Sequence, residues 1–86
     1  MRQVGTGILS AGVLNSLHSL KEIKIDYLPK ETRDSLDCGW EADNPAKVYI
    51  ARGRSSELLE GRHRSSYFVN TNRPDYMVPV VFYTDD

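Results

Sequence analysis

The residues with the most chemical potential are arginines set in a short repeat. Arg52-Gly53-Arg54-Ser55-Ser56 recurs ten residues later as Arg62-His63-Arg64-Ser65-Ser66. Residues 47–73 hold Lys47, these four arginines and Arg73 against Glu57 and Glu60, a net charge of +4 within a chain of net charge −1. Residues 1–46 carry −2 and residues 74–86 carry −3. Arginine, rather than lysine, supplies the positive region. Its planar fork makes paired hydrogen bonds to carboxylates or phosphates and stacks on rings. Tyr49, Tyr67 and Phe68 are close enough in sequence to supply stacking faces. The partner-binding set this implies is Arg52, Arg54, Arg62, His63, Arg64 and Arg73, with Tyr49 and Tyr67. The class of partner is anionic: first a larger protein with an acidic surface, second an RNA or DNA backbone. The bland alternative is a solvated loop in which Glu57 and Glu60 pair with the arginines. No RNA-recognition aromatic motif, GXXG loop, zinc knuckle or long basic helix accompanies the segment.

Two residues invite other chemistry. His63 sits between two arginines, whose charge favours the neutral imidazole that a general base needs. Paired with Glu57, Glu60 or Asp75 it would suggest a small nuclease or hydrolase, yet no second histidine lies nearby and His18 is distant in sequence. Cys38 lies near a predicted helix end and follows Asp37, which disfavours a thiolate, so a buried structural cysteine is expected. A single cysteine excludes an intramolecular disulfide and any paired-cysteine zinc site, and no metal-ligand spacing occurs. Neither a Walker A sequence, a G-x-G-x-x-G fingerprint nor a G-x-S-x-G elbow is present. No cofactor and no catalytic set is therefore assigned.

These side chains must be positioned by 86 residues of 9.8 kDa, 40% hydrophobic and 27% charged. Area scaling gives a single domain, residues 1–86, that buries roughly 64% of its unfolded surface. So small a core leaves little room for a substrate cavity, and a surface patch needs none. The apolar run around Ile8–Leu14 is broken by Gly12 and Asn15, and no stretch reaches the length of a membrane span. A cytoplasmic protein without membrane contact is the expectation.

The hydrophobic period organises the chain. Residues 1–7 carry Gly5 and Gly7 and read as an arm or short edge strand. Val13, Leu17 and Leu20 at helical spacing, with Ser10 as N-cap, predict an amphipathic helix over 9–22. Alternation predicts strands at 23–28, 47–52, 67–69 and 76–83. Residues 29–39 suit a short surface helix, with Trp40 folding back as a lid on the core. Ser55–Gly61 suits one helical turn, and Asn70–Asp75 a loop. The class is α+β: an antiparallel sheet of about four strands, with the N-terminal helix on one face and one or two short helical turns. The expected core is Leu14, Leu17, Leu20, Ile23, Ile25, Val48, Ile50, Phe68, Val80 and Phe82. Pro79 predicts an edge position or a bulge, and an exposed edge makes a homodimer an expectation. Together these features describe a small cofactor-free binding protein, inhibitor- or adaptor-like, that occupies a surface of a larger macromolecule.

Overall fold

The computed structural model describes residues 1–19, 28–51, 53 and 55–85. The chain runs through β1 (Arg2–Ser10), α1 (Ala11–Ser16), β2 (His18–Ser19), α2 (Lys30–Asp37), β3 (Ala46–Tyr49), β4 (Glu57–Glu60), α3 (Arg62–Asn70) and β5 (Met77–Thr84). The fold is α+β, built on one sheet of order β1-β5-β3-β4-β2. The sheet is mixed, not purely antiparallel. β1 and β5 are antiparallel, as are β3 and β4, whereas β3–β5 and β2–β4 are parallel.

The amino terminus is a strand and not a helix, which corrects the expected element over 9–22. Gly7 lies opposite Val80 in the ladder, and a Cβ there would sit 2.9 Å from the Phe82 ring. Leu9 packs against the core beside it. Helix formation begins only where Ser10 caps it, its hydroxyl accepting from the Val13 N–H at 3.2 Å. It ends six residues later. The Ser16 hydroxyl donates to the Val13 carbonyl at 2.7 Å, and Leu17 is already extended at φ −70, ψ 147. The inward face is Ala11 and Leu14, each fully buried, while Val13 is 46% exposed. The apolar stripe through Val13 therefore marked the wrong face. The strand expected at 23–28 lies almost wholly outside the described residues.

Two local readings are reversed by tertiary pairing. Glu57–Glu60 is a strand instead of a helical turn, because Leu58 joins the core opposite Val48. Residues 67–69 are helical instead of a strand and belong to α3. That helix starts at Gly61, whose φ of +116 admits the left-handed turn. Ser65 and Phe68, three apart, are its fully buried residues. It closes where Asn72 adopts φ +62 and Arg73 N–H donates to the Phe68 carbonyl at 2.7 Å. Residues 67–69 therefore offer β5 no strand to pair with, and β5 pairs with β1 and β3.

Pro79 lies in an inner strand, not at an edge, and the register shift falls at Gln3/Gly5 instead. The fold accommodates it by position. Ile50 N–H donates to the Tyr83 carbonyl, so by strand alternation the backbone groups of Tyr83, Val81 and Pro79 face β3. The β3 ladder begins only at Ala46 opposite Val80. The missing Pro79 donor thus falls beyond the end of that ladder, where it costs no sheet hydrogen bond.

The core joins one face of the sheet to the helices. Val48, Leu58, Val78 and Val80 meet Ala11, Leu14, Leu36, Trp40, Ala46 and Phe68. Phe68 stacks between Tyr76 at 4.6 Å and Trp40 at 6.1 Å. Trp40 is 6% exposed and covers this cluster as expected. Ile50 is 42% exposed and does not belong to the core; Leu17 and Phe82 are only partly buried against it. Leu20, Ile23 and Ile25 lie outside the described residues.

Candidate functional site

The described arginines of the segment, Arg62, Arg64 and Arg73, are each engaged by the protein's own backbone. The second copy of the repeat opens α3, where a helix and not a loop between paired strands sets the side chains. Arg62 donates to the Leu17 carbonyl at 2.9 Å and so holds the end of α1. Arg64 donates to the Asn44 carbonyl at 2.8 Å and lies 4.1 Å over the Trp40 ring. The Trp40 indole donates to that same carbonyl at 2.9 Å. Burial holds the Arg64 guanidinium below its ordinary value, with the charges of Glu60 and Glu41 acting in the opposite sense. The serines are also engaged: Ser65 with the Arg62 carbonyl, Ser66 with Asn15 at 2.6 Å.

Arg73 behaves alike from the turn after α3. It donates to the Leu36 carbonyl at 3.3 Å, covers the Phe68 ring at 4.3 Å and stands 3.7 Å from Asp37. Tyr67 donates to Asp37 at 2.7 Å, and Tyr49 to Asp85 at 2.6 Å. Tyr67 and Arg73 therefore meet on one carboxylate, while Tyr49 is buried at the far end of the sheet. His63 is half-buried on α3. Arg52 and Arg54 lie outside the described residues. Arginine stacking on rings is thus present, but the rings and the carbonyls belong to this chain.

Two expectations about reactive groups change. Cys38 is exposed, not buried; it follows the last turn of α2, whose inward residue is Leu36. Glu57, only 8% exposed, carries an Oε2 atom with no hydrogen-bond partner. It lies opposite Tyr49 on β3, on the face away from Val48 and Leu58, and the His18 backbone is its register partner on β2. Among the described residues no group of three or more histidine, cysteine or acidic side chains is placed to hold a metal. Among them, too, no helix is long and apolar enough to cross a membrane.

Among the described residues, the outer side of β1 is an edge of the sheet. Ala11 N–H donates to the Tyr76 carbonyl, and the ladder pairs Leu9 with Val78 and Gly7 with Val80. Alternation then turns the N–H and C=O of Thr6 and Ile8 away from β5, on the unpaired side of the sheet. Val4 is the extra residue of the irregularity between Gln3 and Gly5. Beyond it Arg2 and Gln3 still pair with Thr84 and Tyr83, and from Gly5 to Ser10 the strand runs in regular register. Ile8 is 62% exposed and Met77 59%, on the sheet face opposite the helices, with Pro79 beside Ile8. Met1 and Val4, also on this edge, are 71% and 47% exposed. From sequence, residues 1–7 read as an arm or short edge strand with no functional signal. The available signal was the alternation of Gly5, Gly7 and Leu9 with Thr6 and Ile8. Comparison with protein-family models, with curated proteins and with solved structures gave no match.

Proposed function

We propose that the protein is a binding protein that occupies a surface of a larger protein by taking an extended segment of it onto the free edge of β1. The observation that carries this reading is the regular stretch Gly5–Ser10, whose outward backbone groups at Thr6 and Ile8 adjoin exposed Ile8 and Met77. A sheet edge of this kind gives affinity through main-chain hydrogen bonds and specificity through alternate side chains. The mode of action is blocking or recruitment and draws on no cofactor. The arginine segment supports recognition less than its composition implies, because Arg62, Arg64 and Arg73 donate to internal carbonyls. That engagement also weakens the nucleic-acid reading.

Thr6→Pro tests the proposal. Its N–H points away from β5, so proline deletes only the outward donor and inserts a ring on the free edge. Gly5 before it relieves the usual clash with a preceding side chain. In nuclease-treated pull-downs the wild-type chain retains a protein partner, and Thr6→Pro loses at least about tenfold of it, the equivalent of one to two hydrogen bonds. Undiminished capture by a folded Thr6→Pro protein sinks the edge reading. Release of the partner by nuclease alone returns the assignment to nucleic acid.

A further inference from the structure

A second feature lies where α2, the loop that follows it and α3 meet. A half-open cleft of about 270 Å³ is walled by Glu31, Thr32, Ser35 and Leu36 of α2, by Glu41 and Asn44, and by Arg64 of α3. Glu31 and Ser35, four apart on α2, fall on one stripe of that helix, so its polar side forms a continuous wall. The Ser35 hydroxyl donates to Glu41 Oε1 at 3.0 Å and fixes that carboxylate at the rim. Across the cleft, Arg64 is fixed by the Trp40 ring beneath it and by one hydrogen bond to Asn44.

The charges on the two walls are opposite but do not touch. Among the described residues, no carboxylate comes within 4.0 Å of the Arg64 guanidinium, although Glu41 acts on it through space. Arg64 spends one N–H on Asn44, and a guanidinium has five. Its remaining donors suit a carboxylate. Glu31 and Glu41 suit an ammonium and repel a simple anion. Cation and anion sites facing one another across a gap are complementary to a molecule with both charges.

We propose that this cleft binds a free α-amino acid, its carboxylate on Arg64 and its ammonium toward Glu41 and Glu31. The volume sets the size. Drug-sized ligands occupy roughly 300–1,000 Å³, so the cleft takes something smaller. Among the described lining residues Leu36 alone is apolar, which selects a small or polar side chain. Thr32 adds a hydroxyl for such a group. An α-amino acid holds its two charges on a single carbon, so it spans a gap that neither wall closes alone. The site is separate from the β1 edge and does not depend on that assignment.

The test is a titration of the ¹⁵N-labelled protein followed by amide chemical shifts, with three probes: L-serine, L-serine amide and N-acetyl-L-serine. The amide lacks the anion and the acetylated compound lacks the cation. L-serine is expected to give saturable millimolar shifts centred on Glu31, Ser35, Glu41 and Arg64. Each singly charged analogue should bind about tenfold more weakly, the loss of one charge-assisted contact. Glu41→Gln keeps an oxygen for Ser35 and therefore the fold, yet removes the charge; it should weaken L-serine about tenfold. Equal affinity for the three probes, no saturable shift with L-serine, or an unchanged titration in folded Glu41→Gln would each overturn the proposal.

Discussion

At the scale of single residues, the arginines show how composition misleads about location. A run of charge in the sequence announces a cation-rich region but not the direction of any side chain. Arg62, Arg64 and Arg73 snorkel along apolar surface to reach carbonyls at the ends of α1, the Trp40 loop and α2. Those acceptors are 20 to 45 residues away in sequence, beyond the reach of any local pattern. Glu57 is the reverse case. It looks like a solvated acid and is buried with an idle oxygen. Glu57→Gln is therefore expected to stabilise the fold by about 1–3 kcal/mol, because leaving a carboxylate oxygen without a partner costs more than leaving an amide oxygen without one. A urea midpoint that falls in the variant would show that the carboxylate has a stabilising partner. Tyr67 gives a pH dependence. Its hydrogen bond to Asp37, chiefly, raises the phenol above its ordinary value. The folded state therefore holds the proton more tightly than the unfolded chain. The contribution is complete below about pH 10, the unfolded value, and fades as pH rises through the raised folded value. Tyr67→Phe should lower the denaturation midpoint at pH 8 and converge on wild type at strongly alkaline pH. A constant difference between the two proteins would show that the phenol proton is not linked to folding.

At the scale of elements, the α+β class, the short helix at 29–39, the strand before the carboxyl end and the Asn70–Asp75 loop were legible. Each carries a signal in its own residues: Pro29 and Gly39 around α2, and a run rich in valine and aromatic residues in β5. The elements misread are those in which local chemistry points one way and pairing another. Glu57-Leu58-Leu59-Glu60 has good helix formers, but β3 and β2 flank it on either side and impose extension. Tyr67-Phe68-Val69 has strand formers, but the left-handed Gly61 and the buried Ser65 set a helix. At the β1–α1 junction, the capping serine was identified correctly, whereas the helix it begins is far shorter than the apolar spacing implies. The energetic consequence is measurable. Leu14, fully buried, should lose about 2–5 kcal/mol on replacement by alanine, a large part of the roughly 4–13 kcal/mol expected for 86 residues. Leu17→Ala should cost less, because that side chain is only partly covered. Chemical denaturation of the two variants decides whether the helix was placed on the right face: the larger loss at Leu17 would return the stripe to its sequence-based position.

At the scale of the whole molecule, the accessible surface is 5768 Å², above the roughly 5,200 Å² that scaling gives for this mass. Exposed apolar side chains gather along β1 and its neighbour in β5. The formal charge is −1 and the sequence pI about 6.1, so little repulsion guards that edge near pH 6. Self-association should therefore be stronger at pH 6 than at pH 9, where the chain is more negative, and Thr6→Pro should abolish it. Sedimentation that finds a monomer at both values up to millimolar concentration would exclude pairing between copies. The same strand bears on biosynthesis. β1 is the first of these elements to leave the ribosome, and its mate β5 is the last. Until β5 is made, β1, with Val4, Ile8 and Leu9 among its side chains, lacks its antiparallel mate. β1 and β5 can pair only once β5 has been made, so a holding chaperone that shields β1 while the intervening chain is synthesised should raise the yield of native protein.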